Sequence, residues 1–227
     1  MNHQITHVYM MPGMAANPTI FEHIELPKEK FEMHWLEWLM PEQEESLEDY
    51  AQRMSKKVVY DNVVLIGVSF GGILVQEMSQ FLNVKKIIII SSVKTRHELP
   101  RRMKLGRLTK TYKLLPTKLL GDVEKLAKYA LGKTASKRVE LYKKYLSVND
   151  KRYLDWAIEQ VVCWDREIPI KDIVHIHGDK DGVFPIKYIQ NCLVIKGGTH
   201  IMIINRFKWF NEHLEGLICQ ENCVEKT

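Results

Sequence analysis

The run Val63-Val64-Leu65-Ile66-Gly67-Val68 is apolar throughout and ends abruptly in Ser69-Phe70-Gly71-Gly72. A short, uninterrupted apolar run of this kind suits a central parallel strand, because both of its faces are covered. Leu74, Val75, Met78 and Leu82 then recur on one side of a helix expected from about Gly72. The next apolar run, residues 86–91, is a second buried strand. Strand, helix and strand at these intervals form a βαβ unit, which predicts a parallel sheet.

The flanking segments extend this pattern. Residues 5–11 are β-branched and aromatic and stop at Pro12-Gly13, which predicts a strand running into a turn. Residues 31–39, ended by Pro41, are another strand candidate. Ser46 followed three residues later by Asp49 is a helix-start signal, and Leu47, Tyr50, Ala51, Met54 and Val58 follow at helical spacing. Between Lys94 and Cys163 the period is helical throughout. Apolar stripes recur at Leu119–Ala130, at Val139, Tyr142 and Leu146, and at Tyr153, Leu154, Ala157, Ile158 and Val161. The α/β pattern resumes with strands at 172–177 and 192–196 and a last helix carrying Phe207, Phe210, Leu214 and Leu217. The expected architecture is α/β: a mainly parallel sheet of about six strands flanked by helices. Residues 1–93 and 164–219 form its core, 94–163 a helical insertion of three or four helices, and 220–227 a frayed tail.

Composition narrows the classes. At 227 residues, 45% hydrophobic and 27% charged, the chain has the make-up of an ordinary soluble globular protein. Its apolar runs fall far short of the ~20 residues that span a bilayer. The first residues, Met1-Asn2-His3-Gln4, lack the basic start and apolar stretch of a secretory signal. Four scattered cysteines do not make a disulfide framework. A reducing cytoplasm is the expected location. The net charge of +5 conceals an asymmetry: residues 94–152 hold 18 Lys/Arg against 5 Asp/Glu, and the remainder is acidic. Such a stretch is either a solvated helical surface or an attractor of anionic partners. No nucleic-acid motif accompanies it, so nucleic acid is not an expected partner.

The residues able to do chemistry lie at the ends of the strands. Gly67-Val68-Ser69-Phe70-Gly71 is a G-x-S-x-G pattern between a strand and a helix, the setting of a nucleophile elbow. Its turn forces the serine into a strained conformation, and Gly67 and Gly71 relieve the crowding around it. A serine hydroxyl is a poor nucleophile at neutral pH, so a base and an acid that orients it are needed. The loop after 172–177 offers Asp179 and Asp181, and the loop after 192–196 offers His200.

On these motifs the chain resembles the α/β-hydrolase superfamily over nearly its full length. The family's H-G-x-x-D-x-x-x-P segment is matched by His177-Gly178-Asp179-Lys180-Asp181-Gly182-Val183-Phe184-Pro185, and its G-x-H by Gly198-Thr199-His200. The resemblance therefore implies a triad of Ser69, His200 and Asp181. It also implies an oxyanion hole made by the backbone N–H groups of Met14 and Phe70, with Pro12-Gly13-Met14 in place of the usual H-G-x. The family's leading antiparallel strands are missing, and the short interval from Asp181 to His200 predicts a turn where a helix normally lies.

What the resemblance implies is a serine hydrolase that cleaves a carboxylic ester or thioester through an acyl-enzyme, with no metal or organic cofactor. The alternative is a non-hydrolytic member, such as a hydroxynitrile lyase or a small-molecule receptor. The helical insertion then corresponds to the family's cap. Its aromatics (Tyr112, Tyr129, Tyr142, Tyr145, Tyr153, Trp156) suit an apolar substrate group or simply hold the cap together. Its charge suits an acid-bearing ester, coenzyme A or an acidic acyl-carrier protein. Met10, Met11 and Met14 could line an adaptable pocket or fill the core. Three metal readings are weaker. Asp179, Asp181 and Gly182 lack the further ligands of a calcium loop. His175 and His177 have no evident third ligand, and Cys219 and Cys223 have no partner pair for zinc.

Overall fold

In the computed structural model, which describes residues 4–114 and 144–220, six strands form one sheet in the order β2-β1-β3-β4-β5-β6. They are β1 (Thr6–Met11), β2 (Phe31–Trp35), β3 (Val63–Val68), β4 (Val84–Ile90), β5 (Val174–Gly178) and β6 (Leu193–Ile195). Every pairing is parallel. The helices are α1 (Leu47–Ser55), α2 (Phe70–Met78), α3 (Arg101–Thr109), α4 (Lys151–Cys163), α5 (Met202–Asn205) and α6 (Phe207–Cys219).

Side chains alternate across a strand, so each apolar run supplies two cores. Val63 and Leu65 of β3, with Ile87 and Ile89 of β4, face the buried sides of α1, α2 and α4. Val64, Ile66, Val68, Ile88 and Ile90 face α5 and α6. All six residues of β3 are buried, as a central strand requires. Strand order reverses between β1 and β3. That switch point opens a crevice beyond their carboxyl ends, where ligands of open α/β sheets bind.

Several boundaries differ from the sequence expectation, each for a physical reason. β2 ends at Trp35, not residue 39, because it is an edge strand and β1 pairs with it only as far as Trp35. Residues 36–39 become a loop that carries Trp38 towards the crevice. Ser46 caps α1 by accepting from the Asp49 N–H at 3.0 Å. That helix stops at Ser55, leaving Val58 beyond it. α2 begins at Phe70, two residues earlier than its apolar spacing suggests, because the turn after β3 is a single residue. Between Asp181 and His200 there is only a 3-10 turn, Ile186–Tyr188, ahead of β6.

Between β4 and β5 the described residues contain α3 and α4 and no strand. The two ends of this excursion meet where the Arg96 N–H donates to the Arg166 carbonyl at 2.8 Å. Beside them, one Glu77 oxygen on α2 accepts from Trp164 Nε1 at 2.9 Å and from the Arg166 guanidinium at 2.9 and 3.0 Å. Tyr153, Leu154, Ala157 and Val161 of α4 join the same core cluster as α1 and α2. The apolar positions expected at 119–142, Tyr129 and Tyr142 among them, lie outside the described residues, as do residues 221–227. Among the described residues no helix is long and apolar enough to cross a membrane.

β5 carries two buried histidines where a purely apolar strand would be the simpler choice. His175 Nε2 lies 3.1 Å from His177 Nδ1, and His177 Nε2 lies 2.8 Å from the Phe184 carbonyl. A carbonyl only accepts, so Nε2 of His177 carries the proton, its Nδ1 accepts, and His175 donates. Burial pushes His175 down to about 2, helped by the neighbouring His177. Burial also holds His177 and His34 below the usual imidazole range. Unfolding frees each to bind a proton near pH 6.5, so the unfolded state gains protons and stability falls as the medium is acidified. Urea unfolding is expected to show this loss from about pH 6.5 downward, at about 1.4 kcal/mol per pH unit for each imidazole kept neutral. The slope should be shallower in His175→Asn; an identical slope would show that this imidazole already titrates freely in the folded protein.

Candidate active site

The elbow is built by three close backbone approaches. Ser69 sits at φ 53°, ψ −120°, a conformation that L-residues with side chains avoid. It is held there from both sides: its N–H donates to the Ile90 carbonyl at 2.9 Å, and its carbonyl accepts from Ser92 Oγ at 2.7 Å. A Cβ on Gly67 would lie 2.3 Å from the Gly71 carbonyl oxygen, and one on Gly71 would lie 2.3 Å from that of Pro12. The two elbow glycines therefore serve different contacts. Gly67 lets α2 start immediately, and Gly71 lets the Met11–Gly13 backbone pass beside it. Gly72, flanking the pattern, makes a third approach, since its Cβ would meet Ser92 Oγ at 2.5 Å.

Asp181 and His200 sit on two loops that meet along their backbones. A Cβ on Gly178 would fall 2.2 Å from the Gly198 carbonyl oxygen, so the loops after β5 and β6 meet backbone to backbone. Asp179 Oδ1 adds to this junction by accepting from the Gly197 N–H at 2.7 Å. Asp181 then turns inward. Its Oδ1 accepts from the N–H groups of Val183 at 2.8 Å and Phe184 at 2.9 Å. The Phe184 carbonyl is the acceptor for His177, and Arg102 of α3 donates to the carbonyls of Gly182 and Val183. The acid loop is thus clamped from below by a core histidine and from outside by an arginine.

Ser69, His200 and Asp181 form one continuous chain of contacts. His200 Nδ1 is 2.8 Å from Asp181 Oδ2, and His200 Nε2 is 2.8 Å from Ser69 Oγ. Ionised Asp181 can only accept, so Nδ1 carries the ring proton and Nε2 presents a lone pair to the serine hydroxyl. Burial pushes the Asp181 carboxyl up. The hydrogen bond and charge of His200, with the Phe184 amide and the nearby His177, outweigh it and hold the carboxyl below its ordinary value. An anionic acid at neutral pH follows.

Gly13 runs against Ser69: a Cβ there would lie 3.3 Å from Ser69 Cβ. Met14 follows in a turn closed by the Ala16 N–H on the Gly13 carbonyl, and its side chain packs on the α1–α2 core. Phe70 is the first residue of α2, and its amide is one of the four that an α-helix leaves without an internal acceptor. Met10 and Met11 are fully buried core residues on opposite faces of the sheet. Asp179 and the buried His175–His177 pair are occupied by the loop and core contacts given above. Cys219 is exposed, and Cys223 lies outside the described residues.

One residue beside the site has no motif. Trp38 Nε1 donates to the Gly13 carbonyl at 2.9 Å, while its ring stacks on Phe70 at 4.9 Å and 7°. It joins the two backbone segments that flank Ser69. Tyr50 and Tyr153 lie against it, and Trp156 is edge-on to Phe70 at 5.8 Å. The only sequence signal was an aromatic residue shortly before Pro41, which a strand reading absorbs. A separate polar cleft of about 540 Å³, lined by Ser46, Glu77, Gln160 and Arg166 among others, includes none of the triad residues.

No family model and no curated protein matches the chain in sequence. Solved structures do match it in shape. A bromoperoxidase from Bacillus anthracis superposes with a TM-score of 0.68 at 19% identity, over 96% of this chain and 94% of that one. A hydrolase from Oleispira antarctica gives 0.69 at 17%, over 96% and 92%. A thermophilic esterase from Thermogutta terrifontis gives 0.62 at 12%, over 93% and 90%. With the parallel sheet, the elbow after β3 and these structural neighbours, the chain has the α/β-hydrolase fold.

Proposed function

We propose that this protein is a serine hydrolase acting on a carboxylic ester or thioester. The observation that carries the reading is the unbroken contact chain from Asp181 through His200 to Ser69 Oγ. Ser69 attacks the carbonyl carbon while His200 Nε2 takes its proton, and Asp181 holds the ring in that tautomer and stabilises its charge. The amides of Met14 and Phe70 receive the oxyanion. His200 then returns its proton to the leaving group, and a water activated by the same ring releases the acid from Ser69.

Treatment of wild type with a fluorophosphonate should add one adduct by intact mass, and Ser69→Ala should add none. Ester turnover should fall by at least about 10,000-fold in Ser69→Ala and in His200→Ala. A folded wild type that neither labels nor turns over esters would favour the non-hydrolytic reading, a lyase or a receptor on the same fold.

Trp38 positions the oxyanion amides through the Gly13 carbonyl and the Phe70 ring. Trp38→Phe keeps the stacked ring and deletes the hydrogen bond. We expect kcat to drop by about 10-fold with KM nearly unchanged, since the loss falls on the transition state. A change confined to KM would make Trp38 a substrate contact instead.

The basic stretch at 94–152 supports an acid-bearing acyl group, coenzyme A or an acidic acyl-carrier protein as the substrate's other part. Turnover of such a substrate should decline as ionic strength rises from about 0.02 to about 0.5 M, and a small neutral ester should show little decline. Equal responses would remove charge recognition from this reading.

A further inference from the structure

At the opposite end of the sheet from Ser69, three donor groups converge that the proposed hydrolysis does not use. β1 and β2 pair with His7 opposite Glu32 and Tyr9 opposite His34. Alternate residues share a face, so His7, Glu32 and His34 leave the sheet on the same side. His7 Nδ1 lies 3.0 Å from His34 Nε2. Glu32 Oε2 is 3.6 Å from His7 Nδ1, and Glu32 Oε1 is 3.9 Å from His34 Nε2. Two ligands each about 2.1 Å from a tetrahedral ion stand about 3.4 Å apart, and the three separations bracket that value.

The rings are held before any ion arrives. His7 stacks on Tyr60 at 4.0 Å and 3°, and His34 lies against Tyr9 at 4.5 Å and Tyr60 at 5.1 Å. Glu32 is 54% exposed and can close the small remaining gap by rotating its side chain, leaving one face open to solvent. A hydrogen bond between the two imidazoles accounts for the 3.0 Å contact alone. It leaves unexplained why a carboxylate faces both nitrogens beyond hydrogen-bond range.

We propose that His7, Glu32 and His34 form a binding site for a late first-row divalent cation, with Zn²⁺ the best match and water in its fourth position. Two imidazoles and one carboxylate are the donor set that suits such ions, in contrast to the all-oxygen sets of calcium and magnesium. His7 pairs level with Val63, six residues before Ser69, which puts the site about 20 Å along the strand from the nucleophile. A bound ion joins edge strand β2 to β1 and takes no part in the triad.

The test uses the full chain, stripped with chelator and titrated at pH 7.5 with Zn²⁺ by calorimetry and with Co²⁺ by visible absorption. Wild type should bind one equivalent, with ligand-field bands for Co²⁺ and a rise in Tm with added Zn²⁺. Glu32→Gln, His7→Ala and His34→Ala should each weaken binding by at least about 10-fold, and the double histidine variant should lose the bands and the Tm shift. Glu32→Gln alters an exposed side chain, so it reports even where a histidine variant fails to fold. His213→Ala, on α6, should bind as wild type does. Failure of wild type to bind an equivalent, or binding unchanged in Glu32→Gln and in a folded double variant, would overturn the proposal.

Discussion

The site rests on one backbone conformation. Ser69 is held at a positive φ with a full side chain, and the surrounding contacts make that tolerable. β4 fixes its amide, Ser92 fixes its carbonyl, and the missing Cβ atoms of Gly67 and Gly71 leave room for α2 and for the Pro12 segment. A residue at such a φ costs about 1–3 kcal/mol, which the packed sheet must offset. The buried character of β3, with apolar residues on both faces, is therefore part of the site's construction. It surrounds the strand end with packed side chains where the strain is stored.

The remaining parts converge on that point from both halves of the sheet. β1 brings the Gly13 turn, the loop after β2 brings Trp38, and the loops after β5 and β6 bring Asp181 and His200. Strand order reverses between β1 and β3, and Ser69 follows the carboxyl end of β3 at that switch point, the place where ligands of open α/β sheets bind. The excursion between β4 and β5 closes on itself at Arg96 and Arg166, yet it reaches back to the site through Arg102 and α4. Its described aromatic residues are divided accordingly: Tyr153 packs on Trp38 and Trp156, Tyr112 donates to Glu159 at 2.8 Å, and Tyr145 donates to Glu22 at 2.7 Å.

Much of this was legible in the sequence because it is written in local patterns. Continuous apolar runs marked the buried strands, and a glycine pair around a serine marked the elbow. The loops after β5 and β6 were legible as carriers of Asp179, Asp181 and His200 because each follows a strand end, and the resemblance to the H-G-x-x-D-x-x-x-P segment singled out Asp181. What escaped reading was non-local. The edge position of β2, which ends that strand early, depends on its neighbour's length. Trp38 acquires its place only when that loop folds over Gly13 and Phe70. His7, Glu32 and His34 come from two strands whose register no single segment encodes. The His175–His177 pair, which lacks an evident third ligand in the sequence, is a hydrogen-bonded relay ending on the Phe184 carbonyl.

The backbone contact between Gly178 and Gly198 has a mechanical meaning for the triad. Asp181 and His200 are carried by loops that meet backbone to backbone at Gly178 and Gly198 and are tied again by Asp179 to the Gly197 N–H, so a displacement of one is transmitted to the other. The nucleophile is anchored separately, to β3 and β4. Within the Ser69–His200–Asp181 chain, the contact between His200 Nε2 and Ser69 Oγ is the one that spans the two anchorages. Small relative sliding of the β5–β6 edge against the centre of the sheet lengthens that link while leaving the Asp181–His200 pair intact. Thermal softening should therefore separate His200 from Ser69 before it disturbs the contact between His200 and Asp181.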